Sequence, residues 1–175
     1  ILVTGASSGI GRACALALGR EGANVVAAGR RRDRLDDVGK SIRESGGQCE
    51  IVTGDVRDGA TCYGWVKATI ERFGGLDGLV NAAGVIGNTS LLDTTPEEWD
   101  RVMDSNLRSI FLLTHVAAKA LIERKGSVVS LSSVAGPRPY AGLLAYCVSK
   151  AAVDQFTRCV ALELAPHGVR VNAVN

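Results

Sequence analysis

Short apolar runs alternate with longer helical patterns along the entire chain. The runs read "ILVTG", "NVVAAG", "EIVTG", "DGLVNAAG", "GSVVSLSS" and "VRVNAVN". Because they are apolar on both faces, they predict strands of a parallel sheet that is covered on both sides. Helices are predicted between them, at 9–21, 33–45, 59–73, 96–124 and 143–165. This repeated order predicts right-handed crossovers and one doubly wound α/β domain over residues 1–175.

The composition suits a globular domain and excludes several other classes. The chain has 175 residues, of which 46% are hydrophobic and 22% charged, and a chain of this length buries roughly 70% of its unfolded surface. The net charge of +2 is too small to predict nucleic acid as a partner. No apolar run approaches the roughly 20 residues of a membrane span. We therefore expect no nucleic-acid partner, no membrane insertion and, by default, a cytoplasmic location.

The cysteines and histidines do not indicate a metal site or a disulfide framework. The five cysteines are irregularly spaced and include no C-x-x-C pair, which is typical of reduced thiols in a cytosol-like compartment. His115 and His167 have no carboxylate or second histidine at ligand spacing, so no metal is expected.

A glycine-rich turn, "TGASSGIG", follows the first predicted strand. Its glycines are spaced G-x-x-x-G-x-G, which permits a sharp turn into a helix and brings free backbone N–H groups close to a pyrophosphate. A tight turn without a ligand is the alternative interpretation, but the position after the first strand favours a nucleotide. The candidate cofactor-binding residues of this motif are Gly5, Ser7, Ser8, Gly9, Ile10 and Gly11.

The stretch "AYCVSK" places Tyr146 and Lys150 four positions apart on a predicted helix, and therefore on one helix face. Moving a phenol from its usual pKa of ~10 to ~7 requires about 4 kcal/mol of preference for the phenolate. A cation at ~4 Å supplies on the order of 4 kcal/mol at an effective dielectric of ~20. The pair therefore predicts a phenol that donates a proton to a carbonyl or accepts one from an alcohol.

Several motifs in this order resemble the short-chain dehydrogenase/reductase family, and most closely its carbonyl and 3-oxoacyl reductases. They are "TGASSGIG", "NAAG" at 81–84, Ser133 thirteen positions before Tyr146, and "YCVSK". The resemblance covers essentially the whole chain and implies a Rossmann-like fold. It also implies hydride transfer between a nicotinamide cofactor and a carbonyl or secondary alcohol. A nucleotide-binding scaffold or sensor without turnover is the alternative function.

The resemblance assigns roles to further residues. It implies Tyr146 as the proton donor, Lys150 as its cation and a ribose contact, and Ser133 as a hydrogen-bond donor to the reacting oxygen, with neighbouring Ser132 as the competing candidate. Asn106 in "DSNLRS" is implied to hold a water that connects the lysine to solvent.

Further cofactor contacts are also implied by the resemblance. Asp55 and Val56 correspond to positions that flank the adenine, and Asn81 and Gly84 to positions after the fourth strand. Ala82 stands where the family has a second asparagine, which removes an amide expected to brace the sheet.

The end of the second strand, "AAGRRRDRL", predicts NADP rather than NAD. An NAD enzyme of this architecture has an acidic residue there that binds both ribose hydroxyls. This chain has Gly29 instead, followed by Arg30, Arg31 and Arg32. Guanidinium groups bind phosphate through paired hydrogen bonds, so we expect Arg30 to be the main contact to the 2′-phosphate and Arg31 a second one. A solvated helix start or a basic localisation patch is the alternative.

The resemblance also implies features of the whole protein. The family continues past "VRVNAVN" with a proline-glycine turn, a substrate loop and a final strand. Residues 1–175 are therefore expected to form the dinucleotide-binding and catalytic domain without its C-terminal substrate segment. The apolar helices 96–124 and 143–165 are implied to pair between subunits, which predicts a homodimer or homotetramer that acts on a small carbonyl or alcohol.

Overall fold

The computed structural model describes residues 1–175 and contains one parallel sheet flanked by helices. The six strands are β1 (Leu2–Val3), β2 (Val25–Gly29), β3 (Cys49–Thr53), β4 (Gly78–Asn81), β5 (Ser127–Leu131) and β6 (Arg170–Val174). The helices are α1 (Gly9–Arg20), α2 (Arg32–Glu44), α3 (Gly59–Phe73), α4 (Pro96–Met103), α5 (Ser109–Arg124) and α6 (Leu144–Leu164). None of them combines the length and the apolar character that crossing a bilayer requires.

The strand order is β3-β2-β1-β4-β5-β6, and every neighbouring pair is parallel. Leu2 of β1 pairs with Val26 of β2 on one side and with Leu79 of β4 on the other. The chain therefore reverses its direction of winding between β1 and β4. In open α/β sheets, ligands bind in the crevice that such a reversal opens at the carboxyl ends of the strands. The predicted doubly wound, Rossmann-like sheet is confirmed.

Successive residues of each strand point to opposite faces and enter two separate cores. Leu2 and Val26 pack with α3 and α5 in the larger cluster, which also contains Trp65. Val3 and Val25 pack with α1 and α2 in the smaller cluster. The expectation that both faces are covered holds around β1 and β2, whereas at β6 Val174 is 53% exposed.

The predicted helix over 96–124 is interrupted. α4 begins as the sequence indicates, because the Thr95 side chain accepts a hydrogen bond from the Glu98 N–H (3.2 Å) and Pro96 occupies the first turn. A π-helical turn over Asp104–Arg108 then separates α4 from α5. A π turn inserts one extra residue into the helix and changes which side chains point inward. Asn106 lies in this turn and is completely buried. The helical segment keeps its predicted bounds of 96–124, but the sequence pattern did not predict the π turn within it.

Candidate active site

A cavity of about 380 Å³ lies at the carboxyl ends of the strands and brings most of the predicted residues together. This volume is typical of small-molecule and cofactor sites. The predicted residues that line it are Gly5, Ser7, Ser8, Gly9, Ile10, Gly11, Arg30, Arg31, Asp55, Val56, Gly84, Tyr146 and Lys150. Asn81, Asn106 and Ser133 were also predicted, but they do not line the cavity.

The glycine-rich turn adopts a conformation that only glycine accommodates at two positions. Gly5 has φ +64°, and a Cβ there would lie 2.8 Å from the Ala82 carbonyl oxygen. A Cβ on Gly11 would lie 2.5 Å from the Gly5 carbonyl oxygen. The turn leads directly into α1, whose first turn has no acidic residue and no side-chain cap from Ser8. The N-terminal N–H groups and the positive end of the helix dipole are therefore free to bind an anion.

Thr4 braces the turn that follows β4. Its hydroxyl oxygen accepts hydrogen bonds from the backbone N–H groups of Ala82 (3.1 Å) and Ala83 (3.2 Å). Ala82 stands where the resemblance implies an asparagine, and in this chain backbone hydrogen bonds to the threonine that follows β1 hold the two strand ends together. Buried backbone N–H groups need such partners.

The basic residues after β2 lie beside the glycine-rich turn. The Arg31 guanidinium donates hydrogen bonds to Ser7 Oγ (3.0 and 3.3 Å) and to Ser8 Oγ (2.8 Å). Arg31 also lines a second cavity, together with Arg12 and Arg34. Arg30 lines the main cavity. Four arginines therefore converge near the start of α1, which makes this end of the site suited to a phosphate group.

The adenine positions predicted from the resemblance lie on the same cavity wall. Asp55 and Val56 follow β3, and the Asp55 carboxylate forms an ion pair with Arg57 at 2.7 Å. Hydrogen bonding to Arg57 holds the pKa of Asp55 below its usual value, although burial opposes the shift. Sequence reasoning missed Arg57, since an arginine two residues after a turn aspartate has no pattern of its own.

Tyr146 and Lys150 share one face of α6, as their spacing predicts. The Lys150 Nζ lies 5.7 Å from the centroid of the Tyr146 ring, within cation–π range. Nζ donates a 2.7 Å hydrogen bond to the carbonyl oxygen of Leu131, the last residue of β5. Only 5% of Lys150 is exposed, and burial lowers the pKa of its ammonium from 10.5 to about 8, while Asp154 acts in the opposite direction. The lysine is therefore a buried group with a pKa of about 8.

The two candidate serines differ in how their hydroxyls are used. Ser132 is 9% exposed, and its Oγ donates to the Lys150 backbone carbonyl at 3.2 Å. Ser133 is half-buried, and its Oγ accepts a hydrogen bond from the Ala135 N–H at 3.1 Å. Ser132 borders the cavity and Ser133 does not. However, a hydroxyl that donates internally has no proton left for a ligand, whereas one that accepts retains its donor.

Asn106 joins the π-helical turn to its surroundings through three hydrogen bonds. Its Oδ1 accepts from the Val85 N–H (2.8 Å), and its Nδ2 donates to the Val85 carbonyl (2.9 Å) and to Ser149 Oγ (3.0 Å). Gly84 allows this approach, since a Cβ there would lie 3.1 Å from Asn106 Oδ1 and 3.8 Å from Lys150 Nζ. Asn106 therefore holds the segment after β4 against α6, beside the lysine.

The side chain of Asn81, a predicted cofactor-binding residue, lies in the protein interior. It is 1% exposed, and its Nδ2 donates to Ser130 Oγ (3.3 Å) and Thr114 Oγ1 (3.5 Å) in the protein interior. Strand alternation points this side chain into the core beneath α5. Its side chain therefore faces the interior, and a cofactor contact at this position stays a prediction.

The short chain dehydrogenase family model matches residues 1–175. The chain belongs to this family. It is 38% identical to a 3beta-hydroxysteroid dehydrogenase of Mediterraneibacter gnavus, over 99% of this chain and 63% of that protein. It is 40% identical to a 3-oxoacyl-acyl-carrier-protein reductase of Synechocystis sp., over 99% of this chain and 71% of that protein.

A solved structure of an actinorhodin polyketide ketoreductase with NADPH superposes with a TM-score of 0.94 and 38% identity. The match covers 98% of this chain and 67% of the ketoreductase. This short-chain dehydrogenase therefore has the fold of its relatives and spans about two thirds of their length.

Proposed function

We propose that the protein is an oxidoreductase that transfers a hydride between NADP(H) and a carbonyl or secondary alcohol. The observation that carries the proposal is the buried Lys150 ammonium beside the Tyr146 ring, on the cavity that the glycine-rich turn also lines. A phosphate-binding turn and a phenol beside a buried lysine on one cavity have no evident purpose in a scaffold. The similar proteins named above are a dehydrogenase and two reductases, one of them solved with NADPH.

Residues at one end of the cavity fit a phosphorylated dinucleotide. Gly9 has open space where a Cβ would be, which leaves room for a pyrophosphate against the N-terminus of α1, while Gly5 and Gly11 allow the close backbone packing of the turn. Arg31 is the better placed of the two predicted arginines for a 2′-phosphate, because its guanidinium already lies on Ser7 and Ser8. Arg30 lines the same end. When bound, NADPH supplies the hydride.

The proton chemistry belongs to Tyr146, Lys150 and Ser133. Tyr146 donates its phenolic proton to the carbonyl oxygen during reduction and accepts a proton from the alcohol during oxidation. The Lys150 ammonium, beside the Tyr146 ring, stabilises negative charge that develops on the phenolic oxygen during proton transfer. Ser133 donates its uncommitted O–H to the reacting oxygen. Asn106 fixes the segment beside Lys150 and, as the family resemblance implies, holds a water that exchanges protons with it.

Three further proposals concern the role of the chain as a domain, its substrate and its assembly. Residues 1–175 serve as the dinucleotide-binding and catalytic domain, and a small carbonyl or alcohol is the substrate. The protein assembles as a homodimer or homotetramer through α5 and α6, which expose Phe111 (48%), Val148 (39%) and Leu162 (79%). Large exposed apolar side chains on neighbouring helices are typical of subunit interfaces.

The test is turnover by the full-length protein. Oxidation of NADPH should be measured with a panel of ketones and 3-oxoacyl thioesters, for the wild type and for Tyr146→Phe. Tyr146→Phe should lower kcat by about a hundredfold or more, because only the transferable proton is lost. Its Kd for NADPH should stay within about twofold of the wild type. Near-normal kcat in this variant would remove Tyr146 from the mechanism, and tight NADPH binding without turnover by the wild type would favour the scaffold function.

A further inference from the structure

Arg57 and Asp55 form a forked ion pair on the cavity wall. The Arg57 Nε lies 3.1 Å from both carboxylate oxygens, and one terminal guanidinium nitrogen lies 2.7 Å from Oδ2. The backbone N–H of Arg57 also donates to Oδ1, at 3.0 Å. An ionised carboxylate has about four acceptor positions. The arginine therefore fixes the plane of the carboxylate and leaves acceptor capacity for one more donor.

We propose that Arg57 is a positioning residue that orients the Asp55 carboxylate toward the exocyclic amino group of the cofactor's adenine. The pair, rather than Asp55 alone, would then select a 6-amino purine over a 6-oxo purine. This inference rests on the proposed function, because it requires the adenine end of a dinucleotide to lie at Asp55.

Without the Arg57 side chain, the carboxylate would keep only the hydrogen bond from the backbone N–H of residue 57 and would be less restrained. Asp55 follows a glycine at the end of β3, and 33% of its side chain is exposed. Ordering such a group on binding costs conformational entropy, and the fork removes that cost in advance. The guanidinium also keeps the pKa of Asp55 low, so the carboxylate only accepts hydrogen bonds. The carboxylate can therefore accept a hydrogen bond from a 6-amino group, whereas the oxygen of a 6-oxo purine has no proton to donate.

The experiment compares two cofactors whose purines differ at positions 6 and 1, since hypoxanthine has a carbonyl in place of the amino group and a proton on N1. The Kd values of NADPH and of reduced nicotinamide hypoxanthine dinucleotide phosphate should be measured by fluorescence titration of the full-length protein. Arg57→Ala should weaken NADPH binding about tenfold, the value of one hydrogen bond to a charged acceptor. Binding of the hypoxanthine cofactor should change by less than about twofold.

Two further variants test whether the effect of Arg57→Ala comes from lost orientation of the Asp55 carboxylate, from lost charge or from lost folding. Arg57→Lys keeps the charge but cannot form the fork, so it should lose part of the selectivity for adenine while its circular dichroism stays that of the wild type. Arg20→Ala removes one positive charge from the exposed end of α1 and should change neither Kd by more than about twofold.

A double-mutant cycle tests whether Arg57 acts through Asp55. In an Asp55→Asn background, Arg57→Ala should cause little further loss of NADPH affinity. Equal loss for both cofactors, or an undiminished loss in the Asp55→Asn background, would overturn the positioning role. Failure of the wild type to bind NADPH at all would instead overturn the proposed function.

Discussion

The buried ammonium of Lys150 should make the stability of this protein depend on pH in a characteristic way. Burial lowers the pKa of Lys150 to about 8 in the folded state, against the usual 10.5 of a lysine. The folded state therefore loses this proton at a lower pH than the unfolded state does. The cost of the buried charge is fully present below about pH 8 and is relieved as the pH rises from about 8 to about 10.5.

The size of the effect follows from the two pKa values. Between about pH 7 and about pH 9.5, linkage gives a gain of roughly 2 kcal/mol in the free energy of unfolding from this group alone. For a chain of this length, that corresponds to roughly 4–8 °C in Tm. The hydrogen bond from Nζ to the Leu131 carbonyl forms with either protonation state, so it does not cancel the gain.

The assay compares Tyr146→Phe with the double variant Tyr146→Phe/Lys150→Met, because the first substitution removes the ionisable phenol beside the lysine and leaves Lys150 as the group under test. Urea unfolding can be followed through Trp65, which is 3% exposed in the core. Between about pH 7 and about pH 9.5, the free energy of unfolding of Tyr146→Phe should rise by roughly 2 kcal/mol relative to that of the double variant. A difference in stability that does not vary with pH would show that Lys150 keeps an ordinary pKa in the fold and would refute the reasoning.

Three further predictions concern the cofactor, the turn and the assembly. Arg31→Ala should weaken NADPH binding roughly ten- to hundredfold and NADH binding by less than about twofold, with Arg30→Ala acting in the same direction. Equal losses for both cofactors would mean that these arginines support the fold, and a wild-type preference for NADH would contradict NADP use. Gly11→Ala should lower the free energy of unfolding by about 1–3 kcal/mol, because its Cβ meets the Gly5 carbonyl at 2.5 Å. The control Gly64→Ala, which meets nothing within 4 Å on α3, should raise it by about 0.5–1 kcal/mol, and urea unfolding distinguishes the two. Light scattering at micromolar concentration should give the mass of a dimer or tetramer, reduced by Leu162→Lys on α6, and a monomeric wild type would exclude the proposed interface.

The strand and helix order was predictable because it depends on local patterns. The helices α1, α2, α3 and α6 lie within one residue, and the six strands within three, of the positions that apolar periodicity and capping indicate. The glycine-rich turn was also predictable, since its place after the first strand puts it at the carboxyl edge of the sheet. The spacing of Tyr146 and Lys150 likewise determines that they share a helix face.

The tertiary structure decided features that depend on contacts between distant segments. The π-helical turn at Asp104–Arg108 interrupts an otherwise regular helical pattern, and Asn106 gains its three hydrogen bonds only where that turn meets Val85 and Ser149. Whether Ser132 or Ser133 keeps a free hydroxyl proton depends on the position of the Lys150 carbonyl.

Asn81 and Arg57 also show the difference between what local sequence patterns predict and what tertiary contacts decide. The resemblance suggested Asn81 as a cofactor contact, but strand alternation and the hydroxyls of Ser130 and Thr114 draw its side chain into the core. Arg57 carried no motif, yet folding places its guanidinium on Asp55 at the cavity wall. Local periodicity specifies which residues form each element, whereas the pKa of a buried lysine or the direction of a side chain depends on neighbours that only the packed fold supplies.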